Sequence, residues 1–102
     1  FDCVLPTRLA RHGTLLTCQD KLNLRNAKHA RDKSPLDENN PFSRDFSRAY
    51  LRHLMQVKEP TGARIATLHN LWFLHDLVRQ ARAAIEDGRY EAFRQEIVSV
   101  WT

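Results

Sequence analysis

Four kinds of side chain in this sequence could take part in chemistry: a carboxylate set in an apolar stretch, a cluster of arginines, two thiols and five imidazoles. Asp2 is flanked by Phe1, Cys3, Val4 and Leu5, residues suited to the end of a buried strand, and Pro6 stops a ladder from continuing. Strand C-terminal ends are where α/β barrels carry catalytic groups, and a carboxylate there can act as a nucleophile that forms a covalent glycosyl intermediate. An isolated aspartate is more commonly a solvated or capping residue, so its position alone does not assign that role. His12, His29, His53 and His75 show no HExxH or equivalent pairing, and no Gly-rich phosphate loop, Ser/His/Asp order or Cys/His pair is present. His75 lies close to the apolar face of a long helical segment and reads as structural. Trp72, Phe73 and Trp101 could stack on bases, but their helical spacing makes them core or interface residues first.

The elements that must hold these groups follow from the residue pattern. Residues 1–12 read as a strand end running into a turn, punctuated by Gly13. Thr14–Cys18 and Lys21–Arg25 flank Gln19-Asp20 and predict a hairpin. Residues 28–45 are polar, broken by Pro35 and Pro41, and predict a loop. Ser43 is placed to N-cap a helix over 44–57, with Asp45 in its first turn and Phe46, Tyr50, Leu51 and Leu54 at helical spacing. Arg44, Arg48 and Arg52 form a basic stripe on the other face. Ile65, Leu68, Leu71, Leu74, Val78, Ala81 and Ile85 predict one long helix over 63–87, ended by Gly88. Tyr90, Phe93, Ile97 and Val100 mark a last short helix.

Composition narrows the setting. With 102 residues and 42% hydrophobic side chains the chain can bury one modest core, or part of a larger one. No apolar run approaches the length of about 20 residues that a membrane helix needs, and no signal-peptide pattern opens the chain. It begins on Phe1 without an initiator Met, and is expected to derive from the interior of a longer chain. Cys3 and Cys18 are too few for the framework of a small secreted domain; reduced thiols in the cytoplasm are expected, not a Cys3–Cys18 disulfide. The net charge of +4 is concentrated in residues 1–52, which hold ten Lys/Arg against six Asp/Glu, while residues 53–102 balance at six against six. A basic half of this kind either is a solvated face or attracts a polyanion.

Ordered motifs decide between these readings. Phe1-Asp2-Cys3-Val4-Leu5-Pro6-Thr7-Arg8, followed by Ala10-Arg11 and Gly13, closely resembles the signature of bacterial-type tRNA-guanine transglycosylases. Leu24-Arg25-Asn26-Ala27-Lys28, Pro35-Leu36-Asp37, Ser47–Leu54, Gly62-Ala63-Arg64, Leu68-His69-Asn70 and Ile85–Arg89 continue the resemblance in order over nearly the whole chain. The resemblance implies that Asp2 is the nucleophile that attacks the ribose C1′ of the wobble guanosine, and that Thr7, Arg8, Leu9, Ala10 and Arg11 contact RNA around that base. It implies exchange of guanine for a 7-deazaguanine (preQ1 or queuine), tRNA as partner and a homodimer in the cytoplasm. The implied fold class is α+β and mostly helical: the last strand, an inserted small α/β subdomain and the closing helices of a (β/α)8 barrel. On that reading residues 1–12 carry the catalytic strand end and the RNA-contact loop, 13–62 the inserted region and 63–102 the C-terminal helices.

The resemblance also implies a zinc site built from a Cys-x-Cys-x-x-Cys loop and a later His, and here the sequence departs from it. His69 falls at the histidine ligand, but Glu38, Asn40 and Ser43 fall at or near the three cysteine positions. Structural zinc is normally held by a closed set of Cys and His, so no zinc is expected and His69 is read as a core or hydrogen-bonded histidine. These residues alone are expected to be inactive, since base exchange needs a purine pocket and a second acid/base group that they do not supply. The competing reading is a non-catalytic tRNA-binding or dimerisation module.

Overall fold

The computed structural model describes residues 4–17 and 21–101, apart from the side chain of Trp101. Asp2, both cysteines and the Gln19-Asp20 turn lie outside the described residues. The architecture is mostly helical with one two-stranded antiparallel sheet. In order the elements are α1 (Leu5–Arg11), β1 (Thr14–Leu16), β2 (Lys21–Asn23), a 3-10 turn (Ala27–His29), α2 (Arg48–Gln56), α3 (Pro60–Glu86) and α4 (Tyr90–Trp101). Among the described residues no helix is long and apolar enough to cross a membrane.

The first segment corrects the sequence reading. From Leu5 onward the chain is a helix, not a strand end leading into a loop. Pro6 occupies the first turn, where its missing N–H leaves no intrahelical bond unmade and its fixed φ suits the helix. Pro6 and Ala10, one turn apart, form the buried side. Gly13 ends α1 at φ +84°, a left-handed conformation that favours glycine, and its carbonyl accepts from Leu24 N–H at 2.9 Å. The hairpin follows as expected but with shorter strands, pairing Thr14 with Asn23, Leu15 with Leu22 and Leu16 with Lys21.

The polar segment before α2 is an ordered loop. Asp32, Asp37 and Asn40 each accept, through a side-chain oxygen, the backbone N–H two residues on. These are Asx turns, in which a side chain stands in for a backbone partner. A bridge between Pro35 and Ser47 closes the loop, with Leu36 N–H donating to Phe46 O at 3.0 Å. The helix expected from residue 44 therefore starts only at Arg48. Ser47, not Ser43, is its N-cap, accepting from Tyr50 N–H at 3.0 Å. Arg44 drops off the basic stripe, leaving Arg48 and Arg52 on α2.

Leu15, Leu22, Leu24, Leu36, Leu51, Leu54, Ile65 and the alanines 10 and 66 form the core, with Phe46 and Met55 packed against it. Gly62 lets α3 cross α2 closely; a Cβ there would sit 3.0 Å from Leu54 Cβ and 3.4 Å from Leu54 backbone carbon. The apolar face of α3 is covered unevenly. Of the predicted stripe only Ile65 is buried; Leu68, Leu71, Leu74, Val78 and Ala81 are half-buried and Ile85 is exposed, while Ala66, His69 and Asn70 take the buried positions beside Ile65. His75, read as structural, is exposed. Gly88 ends α3 at φ +69°, as its position predicts.

Among the described residues β1 has a strand partner on one side only, and α3 supplies the other. Leu16 N–H donates to Asn70 Oδ1 at 2.9 Å, and Leu16 O lies 2.8 Å from His69 Nε2. Asn70 Nδ2 donates onward to Pro6 O and Thr14 O, both at 3.0 Å. One fully buried amide thus joins α1, β1 and α3. We predict that Asn70→Ala, which strands the buried Leu16 N–H and two carbonyls, lowers stability by about 2–4 kcal/mol in urea denaturation, whereas an exposed change such as Ser99→Ala alters it by under about 0.5 kcal/mol.

Candidate nucleic-acid interface

Arg8 and Arg11 lie one turn apart in the last turn of α1, both exposed, where positive charge also complements the helix C-terminus. Thr7 is half-buried, its hydroxyl donating to Val4 O at 3.0 Å, and Leu9 is half-buried as well. Ala10 is fully buried, its side chain packed in the core. Of the five residues expected to face RNA, the two arginines present the most open chemistry.

Arg11 also lines an open cavity of about 400 Å³ floored by Gly13 and Met55. Arg25 from the end of the hairpin, Arg52 from α2 and Lys58 from the α2–α3 turn complete its basic wall, with Glu59 the one acid. The glycine at 13 suits its positive φ; a Cβ there would make ordinary contacts, 3.4 Å from Arg25 Cγ and 3.6 Å from Met55 Sδ. Two features of the wall are unusual. Arg52 Nε is buried with no hydrogen-bond partner among the described residues, and the same holds for Arg48 Nε one turn earlier. Lys58 takes φ +59° at the end of α2, a place that glycine ordinarily fills, at a cost of about 1 kcal/mol. The sequence signalled this wall only in part: the α2 stripe was visible, but its meeting with Arg11, Arg25 and Lys58 depends on the fold.

A second group of expected residues comes together on the opposite side of α3. Ser43 and Asn40 are fully buried beside His69, whereas Glu38 is exposed. Leu16 O can only accept, so His69 Nε2 carries the proton, and Nδ1 then accepts from the Ser43 hydroxyl at 2.7 Å. Asn40 Nδ2 donates to His69 O at 3.0 Å while its Oδ1 takes Phe42 N–H. The donor set does not suit zinc: it has no thiolate, the hydroxyl and both Asn40 groups are already engaged, and the one carboxylate faces solvent. Among the described residues no three His, Cys, Asp or Glu side chains gather as metal ligands. Asn70, given no role by sequence reasoning, belongs to the same seam; its place in the Leu68-His69-Asn70 motif was the signal that could have marked it.

Two histidines are held neutral. Burial depresses His69 below the ordinary 6.5, outweighing its bond to Leu16 and the charge of Asp37. Burial, then the charges of Lys28 and Arg48, depresses His29 as well. At 3.8 Å its Nδ1 is too far from Asp32 for a hydrogen bond. The Asp32 carboxyl is itself held below its usual value by the Ser34 hydroxyl and amide. The unfolded chain takes up these histidine protons near pH 6.5, and the fold does not. Stability should therefore be full above about pH 6.5 and fall as the pH drops from there towards the folded-state values. The urea midpoint at pH 5.5 should be lower than at pH 7.5; equal midpoints would contradict neutral burial.

With this geometry in place, comparison with known proteins identifies the lineage. The queuine tRNA-ribosyltransferase family matches residues 1–102. A queuine tRNA-ribosyltransferase of Agrobacterium fabrum is 47% identical over 99% of this chain, one of Solidesulfovibrio magneticus 50% over 99%, and one of Herpetosiphon aurantiacus 52% over 97%. The chain spans 27%, 28% and 26% of the length of these relatives. A match along its whole length, at about half identity, means that the chain belongs to the queuine tRNA-ribosyltransferase family.

Proposed function

We propose that this chain is the C-terminal part of a cytoplasmic, homodimeric tRNA-guanine transglycosylase, supplying its nucleophile and one wall of its tRNA-binding surface. The family match over all 102 residues carries the proposal. On this reading the hairpin, loop and helices are the insertion and closing elements of a (β/α)8 barrel. The Asp2 carboxylate attacks C1′ of the wobble nucleotide, a C–O bond forms as the glycosidic bond to guanine breaks, and guanine leaves. The 7-deazaguanine (preQ1 or queuine) then attacks the same carbon, and the ester oxygen departs as the regenerated carboxylate. Two displacements at one carbon retain its configuration. The purine pocket and the second acid/base group belong to the remainder of the enzyme, so residues 1–102 alone are inactive.

The basic wall supports the RNA half of this reading. Arg11, Arg25, Arg52 and Lys58 converge on one concavity, which suits phosphate oxygens better than a flat solvated face would. Arg52 Nε, without a hydrogen-bond partner among the described residues, offers a donor to such an acceptor. The left-handed Lys58 keeps a charge at the rim where glycine would be less strained, a local cost of the kind found at binding sites.

Two measurements test the proposal. In the full enzyme, Asp2→Asn should reduce guanine exchange by about 10³-fold or more and abolish the covalent tRNA adduct. Unchanged exchange removes the nucleophile assignment and leaves a non-catalytic tRNA-binding or dimerisation module. Arg11→Glu and Arg52→Glu should each weaken tRNA binding by roughly tenfold and reduce the salt slope of log affinity by about 1. Unaltered slopes would detach this wall from the RNA.

A further inference from the structure

We propose that Ser43, Asn40 and His69 form a metal-free clamp that closes the 37–46 loop onto α3 and β1 at the position where relatives with a cysteine loop would use zinc. The geometry of His69 makes the case. A metal-bound histidine commonly donates its second ring N–H to a backbone carbonyl, which fixes the tautomer and aims the other nitrogen at the metal. His69 keeps that outer arrangement: Nε2–H donates to Leu16 O at 2.8 Å and Nδ1 is aimed into the loop. What meets Nδ1 is the Ser43 hydroxyl, at 2.7 Å. A proton donated by Ser43 thus does the job of a bound cation, giving the imidazole lone pair an electrophile that belongs to the loop.

Asn40 supplies the second attachment. Its Nδ2 reaches across to His69 O at 3.0 Å, and its Oδ1 organises the loop locally by accepting Phe42 N–H at 3.0 Å. Its own carbonyl accepts from Arg44 N–H at 2.9 Å, so one residue both shapes the turn and ties it to the helix. Asn40, Ser43 and His69 are all 0% exposed. The contacts of Ser43 and Asn40 with His69, and of His69 with Leu16, are therefore shielded from competing water, where a neutral hydrogen bond is most effective and a missing partner most costly. A zinc ion entering here would have to displace the Ser43 proton and would find one nitrogen and no thiolate, far from the closed tetrahedral set it prefers.

The test needs no enzymatic readout, so its outcome is independent of the catalytic reading. Protein purified without chelator from zinc-supplemented medium should carry less than about 0.1 zinc per chain. Adding EDTA should leave amide exchange of the 37–46 segment unchanged. Ser43→Ala and Asn40→Ala should each accelerate that exchange by about tenfold, because each strands a buried polar partner. In the unmutated protein, imidazole nitrogen NMR should report His69 as the neutral Nε2–H tautomer, with or without added zinc. Stoichiometric zinc, or exchange released by EDTA, would overturn the metal-free assignment. Normal exchange in both alanine variants, or an Nδ1–H tautomer, would overturn the clamp.

Discussion

A two-stranded sheet has two bare edges, and a sheet this short cannot leave a buried edge unpaired. The described structure depends on how α3 resolves that constraint. Leu16 directs both its N–H and its carbonyl away from β2, and two consecutive α3 residues meet them with side chains, Asn70 for the donor and His69 for the acceptor. Adjacent helix residues point about 100° apart, so both bonds form only when α3 lies in one rotation against the strand. Asn70 then extends the same seam to Pro6 and Thr14, which orients α1. The direction in which Arg11 faces solvent is in this way inherited from an amide buried in the middle of a different helix.

Where local rules and tertiary demands agree, the sequence was legible. The long apolar repeat of α3, its termination by Gly88 and the hairpin before it all follow from spacing and turn residues, and all are present. Where two local solutions were equally good, a distant partner decided. Ser43 and Ser47 are both competent helix caps; Ser43 is taken by His69, 26 residues away, and α2 starts after Ser47. Pro6 can end a strand or begin a helix, and the helix wins because Pro6 and Ala10 then share one buried face. His75 illustrates the opposite limit. It sits near the apolar stripe in a helical projection, yet its own side chain faces outward and is exposed.

The candidate sites follow the same division. Arg8, Arg11, Arg48 and Arg52 could be marked from charge and periodicity, yet the basic cavity is made by a loop residue, Lys58, and a hairpin residue, Arg25, that no periodicity connects to them. Likewise the absence of cysteine from the 38–43 stretch is plain in the sequence, while the bonds formed by Asn40 and Ser43 are not. A polar residue in a loop can bond to its own backbone or to a partner far along the chain, and only the packing of α3 against that loop selects the second.

The loop contact built on Ser43, Asn40 and His69 also contains no sulfur. Loops closed by metal thiolates open under oxidants, because sulfenic acid and disulfide formation consume the ligands and release the metal. A hydroxyl, an amide and an imidazole offer peroxide no comparable point of attack. The contact at this seam depends instead on a neutral histidine.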